Sequence, residues 1–179
     1  PGDVVINEVL YDPVVGGMGN DHVALRRAIA LGFDAAKASK VVYAGQATPA
    51  NQLLQQGAAG YDPARAARTG RDAAAANALL DRFGYGKRGP DGMRLAPDGK
   101  PVVLTLSTFS GTQWRELQTL WKQDMAAIGL KMEFRSLPPT DLFRESAQGK
   151  FQLTALGRGS SPTGLELITL YSKQPPDTN

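Results

Sequence analysis

The chain has 179 residues, 42% hydrophobic and 21% charged, with a formal net charge of +3, the make-up of one ordinary globular domain able to bury a core. Its basic residues are spread out and only 7% of residues are aromatic; this is not the basic stripe with stacking rings that nucleic-acid binding needs, and the nearest approach to a cluster, Arg65, Arg68 and Arg71, reads as solvated surface. The chain has no cysteine, which excludes disulfides, thiolate chemistry and Cys-based metal sites, and no apolar run approaches the ~18 residues of a membrane span.

The chain opens Pro1-Gly2-Asp3, without Met and without a signal-peptide pattern. This leads us to expect a processed chain or an excised piece of a longer one. Val4–Leu10 is β-branched and apolar and reads as a strand. A Gly-rich turn follows, then a helix over Asp21–Leu31 with Leu25, Ala28, Ile29 and Gly32 on one face and Arg26 and Arg27 outside. Gly32 stops it, and Asp34 caps a second helix running to Tyr43.

From Ala44 to Arg71 the pattern is that of a long connection, a feature that is usually functional or packed as an arm. Asp72 caps an Ala-rich helix ending at Phe83-Gly84, with Ala76, Leu79, Leu80 and Phe83 toward the core. Two Asp-Gly turns follow. The second predicts a hairpin from a short strand at Met93 to a longer one at Pro101–Ser107. Their spacing is not that of a calcium loop.

The remainder alternates regularly. Val102–Thr108 is a strand, and Gly111–Ile128 a helix striped by Trp114, Leu117, Trp121, Met125 and Ile128. Leu130–Ser136 is a strand, a helix opens at Thr140 or Asp141 and closes at Gly149, Phe151–Leu156 is a strand, and Thr163–Tyr171 a helix. A β-α-β-α-β-α order of this kind predicts an α/β fold with parallel strands and right-handed crossovers.

Ligands of open parallel sheets sit outside the carboxyl ends of the strands. That rule selects three loops: Ser107–Ser110, Ser136–Pro139 and Gly157–Gly164. The first and third combine hydroxyls and backbone N–H groups beside helix starts, which favour anions, and Arg158 offers a bidentate clamp. Caps and turns alone account for Ser107–Ser110; for the Gly157 loop, binding and capping both stay open. The Gly157 loop is not a phosphate-binding P-loop, and Gly16-Gly17-Met18-Gly19 lacks dinucleotide spacing.

Catalytic constellations do not emerge. His22 is the only histidine and falls near a helix start. Ser107, Ser110, Ser160 and Ser161 have no His or Lys nearby in sequence to activate them, so a hydrolase-like enzyme is a minor alternative. Glu116 and Asp124 read as solvated charges rather than a glycosidase pair, and Trp114 and Trp121 as core.

Several segments together resemble the peptide/nickel-type extracellular solute-binding proteins of ABC importers. Asp21–Asp34, with Arg26-Arg27-Ala28-Ile29-Ala30-Leu31-Gly32-Phe33-Asp34, is similar to that family's "VRRAIALGFDR" helix. Val41–Leu54 is similar to its following loop, with Gln55-Gln56-Gly57 in place of the usual prolines and Gly60-Tyr61-Asp62-Pro63 kept. Ala73–Gly84, Asp98–Leu104 and Trp121–Leu130 match further motifs in the right order. The likeness covers Asp12 to Ser172. Residues 1–12 fit poorly, and Pro1–Pro13 is as similar to the opening strand of a lamin-tail-type β domain, a stretch short enough to arise by chance.

The resemblance implies one periplasmic-binding-protein-like lobe over 1–179, half of a two-lobe cleft whose other lobe is absent. It implies non-covalent capture of a peptide-like or other small polar solute, an ABC permease as partner and a periplasmic or cell-envelope location; from the residues themselves we expect no cofactor, metal or nucleic acid. The alternative is a structural fragment that does not bind by itself. Candidate ligand residues are Ser107, Thr108, Phe109, Ser110, Arg158, Gly159, Ser160 and Ser161. Peptide-binding members carry a Trp and, three residues on, an Asp that pairs with a peptide's amino group. Here Arg158 and Ser161 stand there, which puts N-terminal peptide recognition in doubt and suits an anionic group. Nickel is disfavoured because His22 lies away from the expected cleft.

Overall fold

The computed structural model describes residues 9–11, 20–49, 56–65 and 70–155. Within them the elements are β1 (Val9–Tyr11), α1 (Asn20–Gly32), α2 (Ala35–Val42), α3 (Ala73–Leu80), β2 (Val103–Phe109), α4 (Thr112–Ala127), β3 (Lys131–Leu137), α5 (Pro139–Ala147) and β4 (Leu153–Ala155). The strand expected from Val4 is described only from Val9, where it runs to Tyr11. The helix expected over 163–171 lies outside the described residues.

Local sequence accounts for most element ends. The Asp34 carboxylate accepts the Lys37 N–H at 2.8 Å and opens α2, and Asp72 does the same for Ala75 at the start of α3. Pro139 takes the first position of α5, where a missing N–H costs nothing. The Ala-rich helix departs from expectation. It ends as an α-helix at Leu80, and Asp81–Tyr85 form a wider turn kinked at Phe83 and at Gly84, whose φ is 94°. The hairpin around Asp98-Gly99 is present as an antiparallel bridge between Leu95 and Pro101 rather than as a strand at Met93.

The sheet order is β1-β4-β2-β3. β2 runs parallel to β3 and to β4, while β1 is antiparallel to β4. The chain steps from β2 to its neighbour β3 through α4, then returns past β2 to β4 through α5. Crossovers of one hand that move in opposite directions must use opposite faces of the sheet, and the packing agrees. Leu104, Leu106, Met132, Leu153 and Ala155 share a core with Trp121, Met125 and Ile128 of α4 and with Leu25, Ile29, Ala76 and Leu80 of α1 and α3. On the other face, Arg135 of β3 pairs with Glu145 of α5 at 3.1 Å, and Thr154 of β4 hydrogen-bonds Ser146 at 3.2 Å. The result is a three-layer α/β/α fold.

The α4 stripe is core, as its spacing predicts. Leu117, Trp121, Met125 and Ile128 are buried, and Trp121 stacks on Phe33 with centroids 4.1 Å apart and planes 10° from parallel. Burying each such side chain stabilises the fold by about 1.5–3 kcal/mol. Glu116 is exposed as expected, but Asp124 is not a solvated charge. It is 4% exposed, because α1, α2 and the segment before α3 close over it.

Candidate functional site at the carboxyl ends of the strands

β2, β3 and β4 are parallel, so their carboxyl ends, Phe109, Leu137 and Ala155, lie along one edge of the sheet. The chain leaves β2 toward β3 and later returns to β4 on the other side of β2, so the strand order reverses at β2. In open α/β sheets this switch point leaves a crevice.

Four of the residues singled out from sequence fall here. Ser107, Thr108 and Phe109 belong to β2 itself rather than to the loop after it. Strand pairing continues to the register partners Thr108–Ser136 and Phe109–Leu137, so the expected loop is shorter. Ser107 and Thr108 are 2% and 1% exposed. The Phe109 ring lies 5.4 Å from Trp114 and 5.6 Å from Phe143. Both contacts are tilted, an arrangement that suits the ring quadrupoles. Ser110 and Gly111 are exposed. Gly111 caps α4 with φ 139° and no side-chain hydrogen bond, so the first N–H groups of this helix have no side-chain cap. Arg158, Gly159, Ser160 and Ser161 lie outside the described residues.

Sequence reasoning missed two side chains at this edge. Gln118, on α4, donates from Nε2 to Thr108 Oγ1 at 2.6 Å and to Ser136 Oγ at 3.2 Å. It sits beside Leu117 in the stripe and so reads as a rim position. The available signal was a polar residue one place off a core stripe, opposite two strand-end hydroxyls. Phe143 was also missed; it is 51% exposed although it touches Phe109.

Among the described residues no group of three or more His, Cys, Asp or Glu side chains converges to hold a metal, and no helix is long and apolar enough to cross a membrane. The polar groups at the edge are hydroxyls, an amide and backbone N–H groups, a set whose chemistry is hydrogen bonding rather than metal coordination.

Residues 18–175 match the family model described as bacterial extracellular solute-binding proteins, family 5 middle. Among solved structures, an oligopeptide ABC transporter periplasmic oligopeptide-binding protein from Thermotoga maritima with bound mannohexaose is 23% identical; the TM-score is 0.78, over 94% of this chain and 33% of that one. An ABC transporter substrate-binding protein from Sinorhizobium meliloti is 26% identical, with TM-score 0.71 over 98% of this chain and 35% of that one. NikA from Brucella suis, in complex with Fe(III)-EDTA, is 21% identical, with TM-score 0.68 over 89% and 32%. The chain thus spans about a third of the length of these structures. No curated protein matches the chain.

Proposed function

The chain belongs to the family 5 bacterial extracellular solute-binding proteins, and from that premise we propose that it is one lobe of a two-lobe receptor that captures a small polar solute for an ABC permease. The observation that carries this reading is the strand order β4-β2-β3, which reverses at β2. It leaves an open edge with Ser110 and Gly111 exposed, next to where the chain leaves β4. The receptor works outside the cytoplasm, and its task is binding rather than catalysis.

The solute lies across the carboxyl ends of β2 and β4, between this lobe and a second one. Ser110 and the free N–H groups of α4 take one polar end of it. Arg158, Gly159, Ser160 and Ser161 take the other. A guanidinium at Arg158 favours a carboxylate or other anionic group. Without an Asp at Ser161, the site lacks a counter-charge for a peptide's α-ammonium.

A thermal-shift screen tests this, because a solute that binds only the folded state raises the melting temperature. The chain is screened alone and joined to the remainder of the receptor, against peptides, sugars, opines and nickel. Stabilisation by anionic solutes, reduced by Arg158→Ser, is expected. A clear preference for cationic solutes contradicts the Arg158 assignment. Stabilisation only of the joined protein assigns this lobe half of a shared site.

A further inference from the structure

We propose that the side-chain amide of Gln118 is a recognition group of the carboxyl-edge site, set to accept a hydrogen bond from a hydroxyl or N–H group of the solute. This inference rests on the reading that solute binds at that edge.

The amide is anchored before any solute arrives. Its two hydrogens are both committed, one to Thr108 Oγ1 at 2.6 Å and one to Ser136 Oγ at 3.2 Å. Thr108 and Ser136 are register partners on adjacent strands, so the two anchors sit side by side on a rigid surface. Thr108 is 1% exposed, which fixes the inner end of the contact. What remains is Oε1 with its two lone pairs. Among the described residues nothing donates to it, and no buried side-chain nitrogen or oxygen lacks a partner. Oε1 therefore faces solvent at the edge where the strands end.

A purely structural role accounts for less. β2 and β3 are already paired along all seven residues of each strand, so an extra tie between their ends adds little. An apolar residue would extend the neighbouring stripe of Leu117 and Trp121. An amide held by two hydroxyls instead presents a pre-organised neutral acceptor, and pre-organisation is what lowers the entropy cost of binding. Being neutral, it takes donors without demanding a cation. Such a donor comes from a sugar hydroxyl or from a peptide N–H.

The test is a titration followed by the side-chain NH2 signals of Gln118 in ¹H–¹⁵N spectra of the full chain, assigned by their loss in Gln118→Leu. The probes are maltotriose for hydroxyls, triglycine for amide N–H groups, and acetate at neutral pH as an anion without a donor. Saturable movement of the Gln118 signals with maltotriose or triglycine, and not with acetate, is expected; which of the two acts identifies the source of the donor. Gln118→Leu and the shorter Gln118→Asn each weaken the responding probe at least fivefold. If backbone signals of Ser110 and Gly111 respond while those of Gln118 stay still, or if folded Gln118→Asn binds as tightly as the parent, this inference fails and the binding reading stands. If no probe moves any signal at this edge, either in the chain alone or in the chain joined to the remainder of the receptor, both are overturned.

Discussion

The Asp124 carboxylate accepts the backbone N–H of Asp34 at 2.9 Å, across 90 residues of sequence. It ties α4 to the start of α2. Arg71, whose Nε lies 3.7 Å from Asp124 and donates to the Gly32 carbonyl at 3.2 Å, closes the same junction from the segment before α3. Replacing Asp124 by Leu leaves the Asp34 N–H without its acceptor. The expected loss is about 1–3 kcal/mol, measured by urea unfolding, and Glu116→Leu on the exposed face of the same helix should change little.

Arg94 is 1% exposed and has its donors fully engaged. They reach the Ile128 and Tyr85 carbonyls, each at 2.7 Å, together with Asn77 Oδ1 at 2.7 Å and Asp81 at 2.5 Å. Asp81 is 59% exposed. The two halves of this pair should therefore behave unequally. Arg94→Met strips donors from buried acceptors and should cost about 3 kcal/mol or more. Asp81→Ala also leaves the buried guanidinium without its carboxylate, but the vacated place is open to water and the other acceptors of Arg94 remain, so it should cost less, about 1–3 kcal/mol. Equal losses would refute the asymmetry.

Gly32 ends α1 against α4. A Cβ there would come within 2.8 Å of Ile128 Cδ1 and 2.9 Å of Met125 Cε. Both neighbours are fully buried, so neither swings out freely. Gly32→Ala should destabilise by about 1–3 kcal/mol through overpacking. Ile128→Val removes the Cδ1 atom and should recover part of that loss in the double variant, which a double-mutant cycle reads directly.

At the exposed hairpin, Lys100 Nζ lies 2.9 Å from Asp98. The hydrogen bond from Lys100 holds the Asp98 carboxyl below its ordinary 3.8, and the same bond raises Lys100 above 10.5. The contribution of Asp98 is present above the ordinary carboxylate range and is lost as pH falls through its lowered folded value. That of Lys100 is present below 10.5 and is lost as pH rises through its raised folded value. A carbon-detected titration should find Asp98 among the last carboxyls to protonate on acidification, and Lys100→Ala should return it toward 3.8.

The repetitive half of the chain was the most legible in sequence. Alternation at Leu130, Met132 and Phe134 and the α4 stripe fixed a strand and a helix within a residue or two, because one face of each is buried. Caps at Asp34 and Asp72 were equally plain. Features that depend on tertiary contact were not. Asp124 has the surface spacing of a solvated acid, and only the packing of α1 and α2 over it makes it a buried acceptor. Arg94 follows an Asp-Gly turn and gives no sign that its guanidinium enters the core. At the site, the edge itself could be read from the element order. The commitment of Thr108 to Gln118 could not, since it joins a strand to a helix from two different periodic patterns.

The most direct test of the central claim is a backbone ¹H–¹⁵N map of the chain titrated with the solute that stabilises it most. Binding at the carboxyl edge predicts that perturbed amides cluster at 107–111 and 157–164, with Lys131 and the first residues of β2 unmoved. Perturbations centred instead on the opposite edge, around 101–103 and 131, or on the exposed faces of α1 and α2, would contradict the assignment of this lobe's binding surface.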